Sequence, residues 1–291
     1  MNRPEDVRRR AVITGACGGV GRAMSRSFGE RFDLVLTDIA ADSLETFTRE
    51  LRDGGYTVSA SVPGDFGAPD VLARLAKEAS SRFGVLLHTA AVAPAGADWD
   101  RVMVTNLVAT ERLLDCFDVV IQPGCVAIVI SSNAGYFAEV DDELRGILAD
   151  PLHPDLLKRL EPHVRRLAVS DKAMDLSSTS YTLSKWRVTE SCAERAPAWT
   201  RRGARLVTIS PGVIYTPMGR AELASNPRAA EFMDAIPAGR WATPMDIVAT
   251  ARFLASEDAS FISGCDLRVD GATVPALRSM LQHGGSGDGG R

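Results

Sequence analysis

The sequence lacks several features that would point to particular classes of protein. No apolar run approaches the roughly 20 residues that a membrane-spanning helix needs, and the polar start is not a signal peptide. The five cysteines form no Cys-x-x-Cys pair and the four histidines show no ligand spacing, which argues against disulfides and zinc. A formal net charge of -4 favours neither nucleic acid nor an anionic membrane as a partner. We therefore expect a reduced, cytoplasmic protein without a metal.

Strand and helix patterns alternate along most of the 291 residues. The composition, 45% hydrophobic and 24% charged, is that of a globular protein, and no shift in it marks a domain boundary. Repeated strand–helix units predict an α/β fold, a Rossmann-like doubly wound parallel sheet in a single domain. We expect this domain to cover residues 1–280 and a flexible, glycine-rich tail to cover 281–291. The basic run at 8–10 is expected to be a solvated face.

Hydrophobic periodicity places the elements along the chain. Strands are predicted at 11–14, 33–38, 56–62, 85–89, 125–131, 204–210 and near Leu267. Helices are predicted from Val20, from a capping box at Asp42–Glu45 to Gly54, and over 69–83, 98–117, 181–195 and 244–255. Residues that follow strands are the candidates for ligand binding, because ligands of such sheets lie beyond the carboxyl ends of the strands.

A glycine-rich turn follows the first predicted strand. Gly15, Gly19 and Gly21 would leave backbone N–H groups and the positive end of a helix dipole exposed at one point. That arrangement suits the pyrophosphate of a dinucleotide, because a side chain would keep the phosphates away from the backbone. Many tight strand–helix turns bind nothing, so the turn alone leaves both interpretations open.

The second strand ends in a carboxylate, Asp38, which lies 17 residues beyond Gly21. This is close to the position expected for an acid that binds the adenosine ribose. Such a carboxylate accepts hydrogen bonds from both ribose hydroxyls and repels a 2′-phosphate, although a solvated strand end would look the same. The order of strand, glycine turn, helix, strand and acid favours the dinucleotide interpretation and indicates NAD as the cofactor.

A second constellation follows the fifth strand. Ser131 and Ser132 stand at its end, and Tyr181 and Lys185 lie four apart on a predicted helix, so Tyr181 and Lys185 share one face. A neighbouring ammonium lowers the pKa of a phenol and makes it a plausible general acid/base for alcohol–carbonyl interconversion. With four tyrosines and four lysines, chance alone predicts about 0.05 such pairs.

Together these residues resemble the short-chain dehydrogenase/reductase family over about residues 10–275. The motifs occur in the family's order: Gly15, Gly19 and Gly21, then Asp65, Asn106, Ser132, Tyr181, Lys185, Pro211-Gly212, and stretches at 239–244, 253–256 and 269–271. The resemblance implies a catalytic tetrad. Tyr181 would exchange a proton with the substrate oxygen and Ser132 would hydrogen-bond that oxygen. Lys185 would hold the nicotinamide ribose and lower the pKa of Tyr181, and Asn106 would keep a water in line with Lys185.

The resemblance also implies the set of residues that contact the cofactor. Asp38 would contact the ribose and Asp65 the adenine, while Ile214 and Thr216 would hold the carboxamide. No Arg or Lys occupies residues 16–19, where NADP-preferring members often carry one. The full set is Gly15, Gly19, Val20, Gly21, Asp38, Asp65, Ala90, Tyr181, Lys185, Ile214 and Thr216.

Two departures from the family pattern stand out. The fourth strand ends in His88-Thr-Ala-Ala91, where the family usually has Asn-Asn-Ala-Gly, and a buried structural histidine is a commoner explanation than a catalytic one. An insertion at about 136–178 separates Ser132 from Tyr181 and carries leucines at helical spacing over 154–167. It resembles the helical insertion of the 3α-hydroxysteroid dehydrogenase/carbonyl reductase branch. A helix there could cover the substrate pocket and influence subunit assembly.

We therefore expect an NAD(H)-dependent oxidoreductase that interconverts a secondary or aryl alcohol with its carbonyl compound. The partner would be a small apolar, steroid-like or aromatic, alcohol or ketone, and the chain would form a homodimer or homotetramer. A catalytically silent dinucleotide-sensing regulator is the alternative, although it has no reason to keep all four tetrad residues. A methyltransferase could share the glycine turn but would not need the Tyr–Lys pair.

Overall fold

A parallel β-sheet forms the centre of the computed structural model, which describes residues 8–80, 82–225 and 236–284. Within these residues seven strands lie in the order β3-β2-β1-β4-β5-β6-β7, and each pairs in parallel with its neighbours. They are β1 (Arg10–Thr14), β2 (Asp33–Asp38), β3 (Val58–Pro63), β4 (Phe83–His88), β5 (Val126–Ile130), β6 (Arg205–Pro211) and β7 (Asp266–Val269). The predicted Rossmann-like single domain is confirmed. Strand order reverses between β1 and β4, which opens the crevice where such sheets bind ligands.

Helices cover both faces of this sheet. In chain order they are α1 (Gly19–Gly29), α2 (Ala41–Asp53), α3 (Pro69–Ala79), α4 (Trp99–Met103), α5 (Ala109–Asp118), α6 (Asp142–Leu148), α7 (Leu156–Leu167), α8 (Ala173–Arg201), α9 (Pro217–Ser225), α10 (Pro244–Leu254) and α11 (Thr273–Gly284). A π-helical turn, Val104–Val108, joins α4 to α5 without a break. Short 3₁₀ turns occur at Pro94–Gly96, Asn133–Phe137 and Glu257–Ala259.

Two apolar cores lie on opposite faces of the sheet. One packs α3, α5, α6, α7 and α8 against side chains such as Val12, Leu86 and Ala127. The other packs α1, α2 and α10 against Ile13 and Leu36. Since successive strand side chains point to opposite faces, a run such as Ala11-Val-Ile-Thr14 is buried throughout. Both faces of the strands are therefore covered, as parallel sheets require.

Some element boundaries differ from the sequence predictions. The predicted capping box at Asp42–Glu45 is wrong: α2 begins at Ala41, and its N-cap Ala40 has no side-chain cap. The Asp38 carboxylate accepts the Ala40 N–H, and the helix begins two residues earlier than a box capped by Asp42 would place it. Helix α3 ends at Ala79, so the predicted extension to Phe83 is also wrong, and Phe83 begins β4.

Helices α8 and α11 are both longer than their sequence patterns indicate. Helix α8 begins at Ala173, eight residues before the predicted start at Tyr181. Helix α11 continues to Gly284, so the first four residues of the predicted tail are helical, whereas 285–291 lie outside the described residues.

The predicted insertion, 136–178, folds mainly as helices. Its leucine pattern forms α7, as expected, and α6 precedes it. Leu160 and Val164 of α7 are buried in the same core as Leu144 of α6 and Leu183 of α8. The apolar face of α7 thus packs in this core. The two helices of the insertion, α6 and α7, form a layer outside α8.

Candidate active site

The glycine turn is closely packed against two neighbouring loops. Gly15 has φ +65°, and a Cβ there would lie 2.7 Å from the Ala90 Cα. A Cβ at Gly19 would lie 2.6 Å from Cγ2 of Thr216. Gly18 is the N-cap of α1, and no side chain caps this helix N-terminus. The turn therefore presents backbone and a positive helix end without an obstructing side chain, which fits a dinucleotide pyrophosphate.

Asp38 is oriented toward this turn by two backbone groups. Its Oδ2 accepts the Cys17 N–H at 2.9 Å and its Oδ1 accepts the Ala40 N–H at 3.1 Å. Burial and the nearby Asp38 carboxylate raise the pKa of the Cys17 thiol to about 11. Asp65, exposed after the adjacent strand β3, accepts the Gly67 N–H at 2.8 Å. Both carboxylates thus lie at the carboxyl end of the sheet, where the sequence predicted contacts with the adenosine.

Lys185 and Tyr181 share one face of α8, as predicted. The Lys185 Nζ lies 5.6 Å from the centre of the Tyr181 ring and donates to the Ile130 carbonyl at 3.1 Å. Lys185 is only 3% exposed, and burial lowers the pKa of its ammonium to about 8. The Ser131 hydroxyl donates to the Lys185 carbonyl at 2.9 Å. The end of β5 is thereby fixed to the helix turn that carries the Tyr–Lys pair.

Ser132 lies at the start of the 3₁₀ turn Asn133–Phe137. Its hydroxyl oxygen accepts the Ala134 N–H at 3.2 Å, which leaves the hydroxyl proton available for donation. The turn packs tightly on α8, because a Cβ at Gly135 would lie 2.9 Å from the Trp186 backbone nitrogen. Ser132 is thus held beside the part of α8 that carries Lys185.

Asn106 lies in the π-helical turn and is 2% exposed. Its side chain accepts the Val92 N–H at 2.9 Å and donates to the Val92 carbonyl at 3.0 Å. The side chain therefore fixes the segment that follows β4 and is committed to that contact. A role in holding a water near Lys185 would fall to the Asn106 carbonyl, which accepts the Thr110 hydroxyl at 2.8 Å.

His88 links Thr14 of β1 to Thr110 of α5. Its Nδ1 lies 2.7 Å from the Thr14 hydroxyl and its Nε2 lies 2.9 Å from the Thr110 hydroxyl. Because Thr110 donates to the Asn106 carbonyl, its oxygen accepts from Nε2–H, which assigns the tautomer. Burial, with Lys185 as a smaller contribution, lowers the pKa of His88 to about 3. His88 is therefore a neutral structural link at physiological pH. The sequence did not predict these two hydroxyl partners. The available signal was that Thr110 follows Asn106 at helical spacing.

The loop after β6 closes the other side of the glycine turn. Ile214 forms an isolated parallel bridge with Ala242, and the Thr216 Oγ1 accepts the Gly219 N–H at 3.1 Å at the start of α9. Thr216 is 8% exposed and lies against Gly19. The structure thus brings Thr216, predicted for the carboxamide, against Gly19, predicted for the pyrophosphate.

The N-terminal extension of α8 holds a further segment near Tyr181. The Ser177 hydroxyl donates to the Ala97 carbonyl at 2.9 Å, and the Ser180 hydroxyl donates to the Trp99 carbonyl at 2.6 Å. Sequence reasoning missed both serines, since each recognises a backbone carbonyl about 80 residues away. Helices α8 and α9 both contact the 3₁₀ turn Pro94–Gly96, so this turn lies between the helix that carries Tyr181 and the helix that follows Thr216.

Two family models match the chain, and both belong to one family. The model described as short chain dehydrogenase matches residues 9–141, and the model described as Enoyl-(Acyl carrier protein) reductase matches residues 167–272. The chain belongs to the short-chain dehydrogenase/reductase family, as its motifs indicated. Neither model covers residues 142–166, which form α6 and most of α7.

Similar proteins match over nearly the whole chain. The short-chain dehydrogenase/reductase bsc3 of Alternaria brassicicola is 28% identical over 91% of this chain and 96% of its own. The D-threitol dehydrogenase of Mycolicibacterium smegmatis is 29% identical over 90% and 91%. A crystal structure described as an NAD(P) dependent gluconate 5-dehydrogenase from Beutenbergia cavernae, with bound NADP at low occupancy, is 26% identical. It superposes with a TM-score of 0.71, covering 92% of this chain and 97% of its own.

Two features are absent from the described residues. In residues 8–80, 82–225 and 236–284, no helix is both long and apolar enough to cross a membrane. The same residues contain no cluster of three or more His, Cys, Asp or Glu side chains arranged to hold a metal ion.

Proposed function

We propose that the protein is an NAD(H)-dependent oxidoreductase that interconverts a secondary or aryl alcohol and its carbonyl compound. The observation that carries this proposal is the Tyr181–Lys185 pair on α8, with the Lys185 ammonium buried 5.6 Å from the phenol ring. A charge held this close favours the phenolate, and a phenol that can lose its proton is the general acid/base that this reaction needs.

Each residue of the tetrad has a separate task in this proposal. Tyr181 takes the alcohol proton during oxidation and returns it during reduction. Ser132 donates its free hydroxyl proton to the substrate oxygen and keeps that oxygen near the phenol. Asn106 holds the segment after β4 in place through Val92. The nicotinamide, when bound, accepts or supplies the hydride.

The proposed preference for NAD rests on Asp38. The carboxylate is fixed at the end of β2 by two N–H donors, so it cannot easily turn away from a 2′-phosphate. A dianionic phosphate beside it would meet like-charge repulsion, whereas ribose hydroxyls would find an acceptor.

An apolar substrate is the proposed class because exposed apolar side chains flank Thr216, one before it and one in the first turn of α9. Tyr215 and Met218 are 55% and 49% exposed, and the Tyr215 ring lies 5.4 Å from that of Trp241. Aromatic and steroid-like alcohols would bury such surface. A polyol is the competing class, since a D-threitol dehydrogenase is among the relatives. We further propose that the enzyme works in the cytoplasm and forms a homodimer or homotetramer. Light scattering would test the oligomeric state.

The decisive experiment is a panel of steroid, aryl, aliphatic and polyol alcohols with NAD, read as absorbance of reduced nicotinamide. Tyr181→Phe should lower turnover on the best substrate by about 10²–10⁴-fold, the usual contribution of general acid–base catalysis. Tyr56→Phe, in the connection between α2 and β3, is the matched control and should keep its activity. Near-normal turnover of Tyr181→Phe would refute the assignment, and turnover of polyols alone would refute the apolar substrate class.

A further inference from the structure

We infer that Arg22 is placed to bind the 2′-phosphate of NADP, and that the carboxylates of Asp38 and Glu50 together prevent this contact in the unmodified chain. This inference rests on the proposed dinucleotide site and deepens it. The sequence has no basic residue within 16–19. In the folded chain, however, Arg22 lies next to the glycine turn, because it is one helical turn beyond Gly18.

Arg22 and Asp38 flank a single residue of the glycine turn. The Arg22 Nε donates to the Cys17 carbonyl at 3.2 Å, and the Cys17 N–H donates to the Asp38 Oδ2 at 2.9 Å. The guanidinium and the carboxylate that is proposed to receive the adenosine ribose are therefore anchored to the same residue, Cys17, through its carbonyl and its N–H respectively. A phosphate on the 2′-hydroxyl of that ribose would come within reach of the same guanidinium.

Glu50 of α2 holds the outer end of Arg22. The Arg22 Nη1 donates to the Glu50 Oε2 at 3.2 Å, and its guanidinium stacks on the Phe47 ring at 4.4 Å. Arg26 shares both partners, with distances of 3.4 Å to the same Glu50 oxygen and 5.1 Å to the ring. Only Arg22 of these two also bonds the Cys17 carbonyl. Arg26 is therefore an internal control with the same partners but without the link to the turn.

The two carboxylates contribute unequally. Side-chain exposures of 32% for Arg22 and 45% for Glu50 mark a solvated ion pair, and such pairs are weak. A phosphate dianion would compete successfully with Glu50 for a bidentate arginine. Asp38 is half-buried and fixed by backbone donors, so its repulsion is the larger barrier. Removing Asp38 should therefore expose the phosphate affinity of Arg22, and removing Glu50 should add less.

The test measures NADH and NADPH dissociation constants by calorimetry on the full chain and on variants. Asp38→Ser should raise the affinity for NADPH relative to NADH by about tenfold or more, because like charges no longer meet. In that background Arg22→Met should weaken NADPH binding by about ten- to a hundredfold, the value of one hydrogen bond to a charged group. Arg26→Met should change it by less than about twofold, and Glu50→Gln should strengthen it by about two- to fivefold. Thermal melting by circular dichroism checks that each variant is folded.

The Arg22–Arg26 contrast decides the inference. If folded Asp38→Ser/Arg22→Met binds NADPH as well as Asp38→Ser/Arg26→Met does, Arg22 is not the phosphate ligand. Equal binding of NADH and NADPH by the unmodified chain would instead refute the proposed NAD preference and the withholding by carboxylates. Failure of the unmodified chain to bind either dinucleotide would refute the proposed function itself.

Discussion

His88 shows how a single buried residue couples several parts of the candidate site. Through Thr14 it reaches the Ala90 N–H, which lies 3.3 Å from the Thr14 hydroxyl, and through Thr110 it reaches the Asn106 carbonyl. The chain of hydrogen bonds runs in one direction and requires exactly one proton on the imidazole. A second proton would face the Thr14 hydroxyl, which would have to give up its donation to Nδ1.

The first prediction follows from the lowered pKa of His88. Its pKa falls from the ordinary value of 6.5 to about 3 in the folded chain. At pH values between these two, the His88 side chain binds a proton in the unfolded state but not in the folded state. Stability should therefore be fully present above about pH 6.5 and fall as the pH drops toward 3. His88→Asn should flatten this dependence in urea unfolding experiments. His153→Asn, outside the sheet, is the control and should keep the original slope. An equally steep loss in His88→Asn would show that other groups cause it.

Lys185 makes a second prediction at this scale. Its buried ammonium loses a proton above about pH 8, and Tyr181 must be protonated to deliver a proton during reduction. The kcat/KM for NADH-dependent carbonyl reduction should therefore fall as pH rises through about 8, with an apparent pKa that belongs to the pair. Lys185→Arg stays charged in that range, so its slower reaction should lose the alkaline fall near pH 8 or show it at higher pH. If the pH dependence of kcat/KM is unshifted in Lys185→Arg, the alkaline fall is not caused by Lys185.

Individual site residues differ in how far the sequence could predict them. Tyr181 and Lys185 could be paired because a helix fixes the geometry of residues four apart. The contact of Asn106 with Val92 and the partners of His88 could not, because they depend on how β1, β4 and the π-helical turn meet in space. The same holds for Arg22, whose role depends on a glutamate that lies on a different helix.

At the scale of elements, tertiary contacts override local preference in two places. Residues 177–180 read Ser-Ser-Thr-Ser, which are indifferent helix formers, so the pattern placed the start of α8 at Tyr181. The helix nevertheless includes them, because Ser177 and Ser180 bond to carbonyls of the 97–99 segment. The capping box at Asp42 failed for a similar reason, since Asp38 already supplied an acceptor upstream.

Helix α7 supplies a prediction about packing. Leu160 is completely buried between α6 and α8, whereas Lys158 on the same helix is exposed. Leu160→Ala should lower the free energy of unfolding by about 2–5 kcal/mol, the range for deleting a buried leucine side chain. Lys158→Ala should change it by about 0.5 kcal/mol or less, as surface substitutions do. Urea unfolding measures both, and equal effects would show that α7 does not contribute to the core.

For the whole molecule, the candidate site lies where the two halves of the sheet diverge. The glycine turn follows β1, Asp38 ends β2, Ser132 follows β5 and Thr216 follows β6, so four strands each supply one edge of the site. Residues 142–166, which neither family model covers, lie outside this frame as a layer on α8. The sequence predicted a helix from the leucines of 154–167 but did not predict α6, nor that the leucines of this layer would join the main core.

The last prediction separates two roles for that layer. If α6 and α7 only cover the substrate pocket, replacing Asp142–Leu167 with a flexible Gly/Ser linker should raise KM and leave the melting temperature unchanged. Because Leu144, Leu160 and Val164 are buried in the same core as Leu183 of α8, we expect the replacement to expose part of that core. The melting temperature should then fall by roughly 10 °C or more, since several buried leucines each contribute 2–5 kcal/mol. Binding of a hydrophobic dye should rise, and light scattering should show self-association. An unchanged melting temperature with a raised KM would establish the segment as a lid.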